Sequence, residues 1–201
     1  AQRALELREE GIELNDMAVL YRSHFHALEM QLELTRRNIP FSITSGIRFF
    51  EQAHIKDVTS YLKWLANPRD EQAFKRLALM LPGVGSKTAM KLWYQFLTAH
   101  TDTTPMAETL QRCAAVPKKA KVPWAQFSAT VSQLESEPVV GDAGKMIELI
   151  VEAGYDAYVE ANYDKAPQRL DDIEQLGVFA RQYETLETFL AELALLTNVE
   201  A

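Results

Sequence analysis

The stretch Leu81-Pro82-Gly83-Val84-Gly85-Ser86-Lys87-Thr88-Ala89-Met90-Lys91-Leu92 brings together two glycines, two hydroxyl side chains and two lysines. The chemistry this combination offers is anion binding. Glycines lack a Cβ, so Gly83 and Gly85 can take a positive φ and let another backbone come close. A helix beginning near Ser86 would aim the unpaired N–H groups of its first turn outward, from Gly85 through Thr88. Those donors and the positive end of the helix dipole suit a phosphate oxygen, and Lys87 and Lys91 add formal charge. A nucleotide-binding loop of the Walker kind is excluded. That pattern needs glycine directly before the Lys-Ser/Thr pair, whereas Ser86 precedes Lys87, and no strand leads into the turn. An ordinary helix connection with turn glycines is the alternative reading.

Two amphipathic segments must hold this turn. Upstream, Phe74, Leu77, Ala78 and Leu81 recur at helical spacing and are stopped by Pro82 and Gly83. Downstream, Ala89, Leu92, Trp93 and Phe96 repeat the pattern. Tyr61, Trp64 and Trp93 sit among aliphatic neighbours at helical spacing and read as core rather than as base-stacking platforms. Lys56 and Asp57 read as structural, and Lys118, Lys119 and Lys121 as a solvated loop, with a nucleic-acid patch as the alternative.

The remainder divides near Phe50. Residues 1 to 10 read as a helix stopped by Gly11, Met17–Tyr21 as a short buried strand, His26–Arg37 as a helix and Phe41–Thr44 as a second strand, which together make a βαβ unit. Beyond Gly46 almost everything reads helical. Ile55, Val58, Leu62 and Leu65 mark a long helix ended by Asn67-Pro68, and residues 101–123 a loose connection with one short helix around Met106–Cys113. Helices follow around Phe127–Leu134, Met146–Val151 (stopped by Gly154), Arg169–Tyr183 and Leu186–Leu193. The expected fold class is mainly α: a short α/β segment, then an all-helical subdomain. Both ends read as cuts within helices.

With 201 residues, 47% of them hydrophobic, the chain can bury a real core. A net charge of −7 argues against polyanion binding over the whole surface, so nucleic-acid contact must be local. Cys113 is the only cysteine, so a disulfide framework and cysteine zinc sites are out and a reducing compartment is expected. No apolar run approaches a membrane span, and Arg3 to Glu10 is no signal peptide. His24 and His26 lack an evident third metal ligand, and no metal site is expected.

The glycine turn resembles a helix-hairpin-helix DNA-binding element. Ala18-Val19-Leu20-Tyr21-Arg22-Ser23, Asn38-Ile39-Pro40-Phe41, Gly46-Ile47-Arg48-Phe49-Phe50-Glu51, Ile55-Lys56-Asp57, Tyr61-Leu62 and Asn67-Pro68 resemble, in order and spacing, the UvrD/Rep/PcrA family of superfamily 1 DNA helicases. The resemblance implies that residues 1–50 are part of the second RecA-like motor domain (2A). Residues 51–201 would be the helical 2B subdomain inserted in it, with the hairpin at 81–92 contacting duplex DNA.

It also implies single-strand phosphate contact by Arg22 and Ser23. His24 stands where many members have asparagine, and the alternative for Arg22 is a carboxylate partner at the domain edge. The DNA-contact set is therefore Arg22, Ser23, His24, Gly83, Val84, Gly85, Ser86, Lys87, Thr88 and Lys91, with no catalytic residue.

The resemblance implies a fragment of a 3′-to-5′ ATP-dependent helicase. ATP and Mg²⁺ belong to the parent protein, and no cofactor to this chain, because the motifs that hold β- and γ-phosphates have no counterpart here. Expected partners are a single-strand/duplex DNA junction read without sequence preference, the remaining helicase domains, and regulatory proteins. The expected location is the bacterial cytoplasm, at the nucleoid. Two rival functions stay open. The hairpin also looks like that of endonuclease III-type glycosylases, with Lys87 as nucleophile, but the aspartate they need has only Asp102 as a loose substitute. A helical protein-interaction module without DNA contact is the other.

Overall fold

A computed structural model describes residues 1–21, 27–43 and 49–197. They form two compact units, the first from residues 1–52 together with the chain from Ala191 onward, the second from Ala53–Leu190. The described residues are mainly helical and contain no strand.

In the first unit, α1 (Gln2–Glu9) and α2 (Leu28–Arg36) end alike. Gly11, at φ +95°, donates to the Arg8 carbonyl while Ile12 donates to Leu7, and Asn38, at φ +52°, repeats this with Thr35 while Ile39 donates to Leu34. Both are Schellman caps, which need a left-handed residue after the helix, a role that glycine and asparagine fill at least cost.

The expected βαβ unit is not seen among the described residues. Its helix forms as α2, but Met17–Tyr21 and the described part of Phe41–Thr44 pair with no strand. A strand is held by its ladder, and none lies alongside among the described residues; Val19 and Leu20 are 58% and 96% exposed instead of covered on both faces.

The second unit contains α3 (Ala53–Ala66), α4 (Glu71–Leu79), α5 (Ser86–Ala99), α6 (Met106–Gln111), α7 (Lys121–Leu134), α8 (Ala143–Ile150), α9 (Asp156–Asn162), α10 (Ala166–Ala180) and the start of α11 (Leu186–Thr197). Helix α3 packs on α4, α8 and α10, α4 on α5, and α6 on α7. Asp70 caps α4 by accepting from the Ala73 amide at 2.9 Å, satisfying one of the donors every helix start leaves open. Between α8 and α9 the chain makes one wide turn, Val151–Tyr155, with Gly154 at φ +110°.

An aromatic cluster forms the centre of this unit. Trp64 lies with its ring centroid 5.3 Å from Phe74 and 4.9 Å from Phe96; Phe74 is 5.3 Å from Trp93, and Trp124 is 5.7 Å from Phe127. Trp64 and Trp93 are buried, as their spacing predicts, and Tyr61 packs partly buried at the edge.

Residues 101–123 hold more structure than their prolines suggest. Glu135 accepts from the Met106 and Ala107 amides at 2.7 and 3.0 Å, Gln95 from the Ala115 amide at 2.9 Å, and the Trp124 indole donates to the Leu110 carbonyl at 3.0 Å. A single tight turn, Lys118–Ala120, then leads directly into α7, whose first turn contains Pro123. Proline is tolerated there because a first-turn N–H has no intrahelical acceptor to lose.

Candidate nucleic-acid interface

The apolar stripe of α4 lies in the aromatic core, with Phe74 and Ala78 fully buried and Leu77 nearly so. After Leu79 the chain tightens, with Met80 donating to Leu77 and Leu81 to Ala78 at 3.2 Å each. Gly83 then turns at φ +79°, and Val84, 6% exposed, drops into the same core and donates to the Leu81 carbonyl at 3.1 Å. Buried Val84 therefore pins the turn from inside, while Gly83, Gly85, Ser86, Lys87 and Lys91 stay exposed and Thr88 half-buried.

Of the seven expected contact residues here, Val84 has no side chain to offer a ligand. The expectation for Gly85 also needs correcting. It is extended at φ −97°, ψ 175°, so its backbone shape does not require glycine; a Cβ there would meet nothing within 4 Å. What the absent side chain leaves at Gly85 is open approach from solvent.

Gly85 serves as the N-cap of α5, its carbonyl accepting from Ala89 at 2.9 Å, with no side-chain cap. The amides of Ser86, Lys87 and Thr88 find no acceptor among the described residues. Unpaired donors at a helix start, in the positive field of its dipole, form an anion site. Lys87 and Lys91 stand one turn apart on the exposed side of α5, and neither pairs with a carboxylate among the described residues.

Arg22, Ser23 and His24 lie outside the described residues, as do His26, Gly46 and Arg48. No group of His, Cys, Asp and Glu suited to a metal ion occurs among the described residues.

Asp57 anchors a buried polar network, in keeping with its structural reading. Its Oδ1 accepts from Arg76 Nε at 2.6 Å, and its Oδ2 from the hydroxyls of Tyr155 and Tyr163 at 2.7 and 2.6 Å. Burial first, and then the Asp57 carboxylate, push both tyrosine hydroxyls well above their ordinary pKa. Fully buried His54 sits between Arg169, 2.8 Å from Nδ1, and Asp172, 3.2 Å from Nε2. Arginine can only donate, so Nδ1 accepts and the proton lies on Nε2, toward Asp172. The Arg169 guanidinium also lies 4.6 Å from the Tyr163 ring centroid. Only Asp57 in this network was legible locally, because its partners come from distant helices.

Residues 1–113, a stretch that takes in the whole hairpin, match the UvrD-like helicase C-terminal domain, and the chain belongs to that family. It is 29% identical over 195 residues to the ATP-dependent DNA helicase UvrD1 of Mycobacterium tuberculosis, covering 88% of this chain and 24% of that protein. Against DNA helicase II of Escherichia coli it is 26% identical over 213 residues, covering 94% and 28%. Against DNA helicase II of Haemophilus influenzae it is 26% identical over 181 residues, covering 87% and 24%. The chain spans about a quarter of the length of these relatives.

Proposed function

We propose that this chain contributes DNA contact to an ATP-dependent helicase of the UvrD type, with the Leu81–Leu92 hairpin gripping duplex backbone in the manner of a helix-hairpin-helix element. The observation that carries the reading is the start of α5: three unpaired amides, exposed glycines on either side of a buried valine, and two lysines without carboxylate partners. Donors of this kind hold phosphate oxygens and carry no base information, so binding is sequence-tolerant. The second unit then corresponds to the inserted 2B subdomain and the first to part of the 2A motor domain.

In the complete enzyme, ATP and Mg²⁺ drive the motor from residues outside this chain, and the hairpin orients the duplex ahead of it. Arg22, Ser23 and His24 take the single strand. Met17–Tyr21 and Phe41–Thr44 become strands once the rest of the motor sheet lies beside them, a reading supported by the exposure of Val19 and Leu20. Lys87 acts as a charge and not as a glycosylase nucleophile, since the family match runs through the hairpin.

The test is titration of a labelled hairpin duplex with a single-stranded tail by the 201-residue chain, at low and at moderate salt. Affinity is expected to fall as salt rises. Lys87→Ala is expected to weaken binding several-fold and to flatten the slope of log K against log salt by about 0.9, the share of one phosphate contact. Absence of binding even at low salt would favour a helical protein-interaction module instead.

A further inference from the structure

Lys118, Lys119 and Lys121 read from sequence as a solvated loop, but the fold places this segment against the hairpin. A Cβ on Gly83 would lie 3.4 Å from Lys119 Cβ. The two backbones therefore adjoin at the residue where the hairpin turns. We propose that the Lys118–Lys121 segment is a second phosphate-contacting element, which continues the hairpin's footprint along the backbone of the same DNA duplex. The proposal rests on the duplex reading of the hairpin.

Charge segregation supports it. Residues 72–101 and 109–134, which build the hairpin and this segment, contain no Asp or Glu, although the whole chain carries a net charge of −7. Their other cations are already engaged: Lys75 pairs with Glu71, Arg76 with Asp57 and Arg112 with Glu108. Lys87, Lys91, Lys118, Lys119 and Lys121 remain, all exposed and without a carboxylate partner among the described residues. A like-charged group of this kind is self-repulsive in isolation and suits a polyanion.

The segment is also held in place. Ala120 is fully buried in the aromatic core, and its amide donates to the Pro117 carbonyl at 2.9 Å. On one side, the Gln95 side chain of α5 accepts from the Ala115 amide at 2.9 Å; on the other, Trp124 is buried and bonded to Leu110. The lysine stems thus start from fixed points, so less freedom is lost when their ammonium groups are ordered on a ligand. Duplex DNA, with a charge about every 1.7 Å of axis, is dense enough for a second cationic group beside the first to meet phosphates of its own.

The salt dependence of binding to the tailed duplex separates this proposal from the hairpin reading beneath it. Lys118→Gln/Lys119→Gln is expected to flatten the slope of log K against log salt by about 1.8 and to weaken binding on the order of tenfold at moderate salt. Lys165→Gln, an exposed control on the approach to α10, is expected to leave both nearly unchanged. An unchanged slope in the double variant alongside a flattened one in Lys87→Ala would overturn the second contact and leave the hairpin standing. A wild-type slope in all variants, or no binding by wild type, would overturn both. Equal binding of poly-glutamate, with the same loss in the double variant, would overturn the duplex assignment in favour of an acidic protein partner.

Discussion

Asp57→Ala is expected to lower the unfolding free energy of the second unit by about 3–5 kcal/mol, the usual consequence of removing one partner from a buried ion pair. Asp57 is 3% exposed, and its carboxylate accepts from Arg76, Tyr155 and Tyr163. Its loss leaves Arg76 without its counter-charge and Tyr163 without its acceptor. Tyr155 keeps only a 3.3 Å bond to the His54 carbonyl. Because the Arg76 side chain is 36% exposed, water can recover part of its solvation, which places the expected loss toward the lower end. Asp57→Asn, which keeps the shape and one acceptor oxygen, is expected to lose less.

Trp64, Trp93 and Trp124 all lie in the second unit, so tryptophan fluorescence during urea unfolding reports that unit alone. A double-mutant cycle with Arg76→Ala would isolate the pairwise share. A loss below about 1 kcal/mol in Asp57→Ala would contradict the buried-pair account, because that is the range of solvent-exposed pairs.

Phe74→Ala is expected to lower stability by a similar amount, about 3–5 kcal/mol, by a different route. Its fully buried ring lies 5.3 Å from both Trp64 and Trp93 and 5.6 Å from Phe96. Three neighbours of that size cannot collapse into the vacated space, so the transfer loss and the cavity term add. Phe74→Leu, filling part of the volume, is expected to lose less, and the same urea titration checks both. A cost under about 1 kcal/mol for Phe74→Ala would mean that the cluster repacks freely, contrary to close packing. Both substitutions bear on the interface, since Arg76 and Phe74 stand on the helix that delivers the hairpin.

Local signals in the sequence proved readable where a single residue decides the outcome. Gly11 and the spacing of Phe74, Leu77 and Ala78 specify a cap and a buried face without help from distant chain. Where partners come from far away the signal vanishes: nothing beside Asp57 announces Tyr155 or Tyr163, about a hundred residues on. The 101–123 stretch misleads for the same reason, because the groups that order it, Gln95 and Glu135, lie outside it. Met17–Tyr21 has strand composition, but composition cannot supply a neighbouring strand. Within the hairpin, the glycines are visible in sequence but their separate jobs are not: Gly83 makes the turn, and Gly85 leaves the approach open.

Substitution at Gly85 tests the duplex grip most directly. The extended backbone at Gly85 does not require glycine, and a Cβ there meets nothing within 4 Å, so Gly85→Val should cost about 1 kcal/mol as a poorer N-cap and leave the unit folded. Its side chain would nevertheless stand in front of the first-turn amides of α5. A duplex grip by the hairpin predicts circular dichroism and a urea transition close to wild type, with affinity for the tailed duplex reduced on the order of tenfold or more through lost phosphate contact. Duplex affinity equal to wild type in a folded Gly85→Val chain would contradict it.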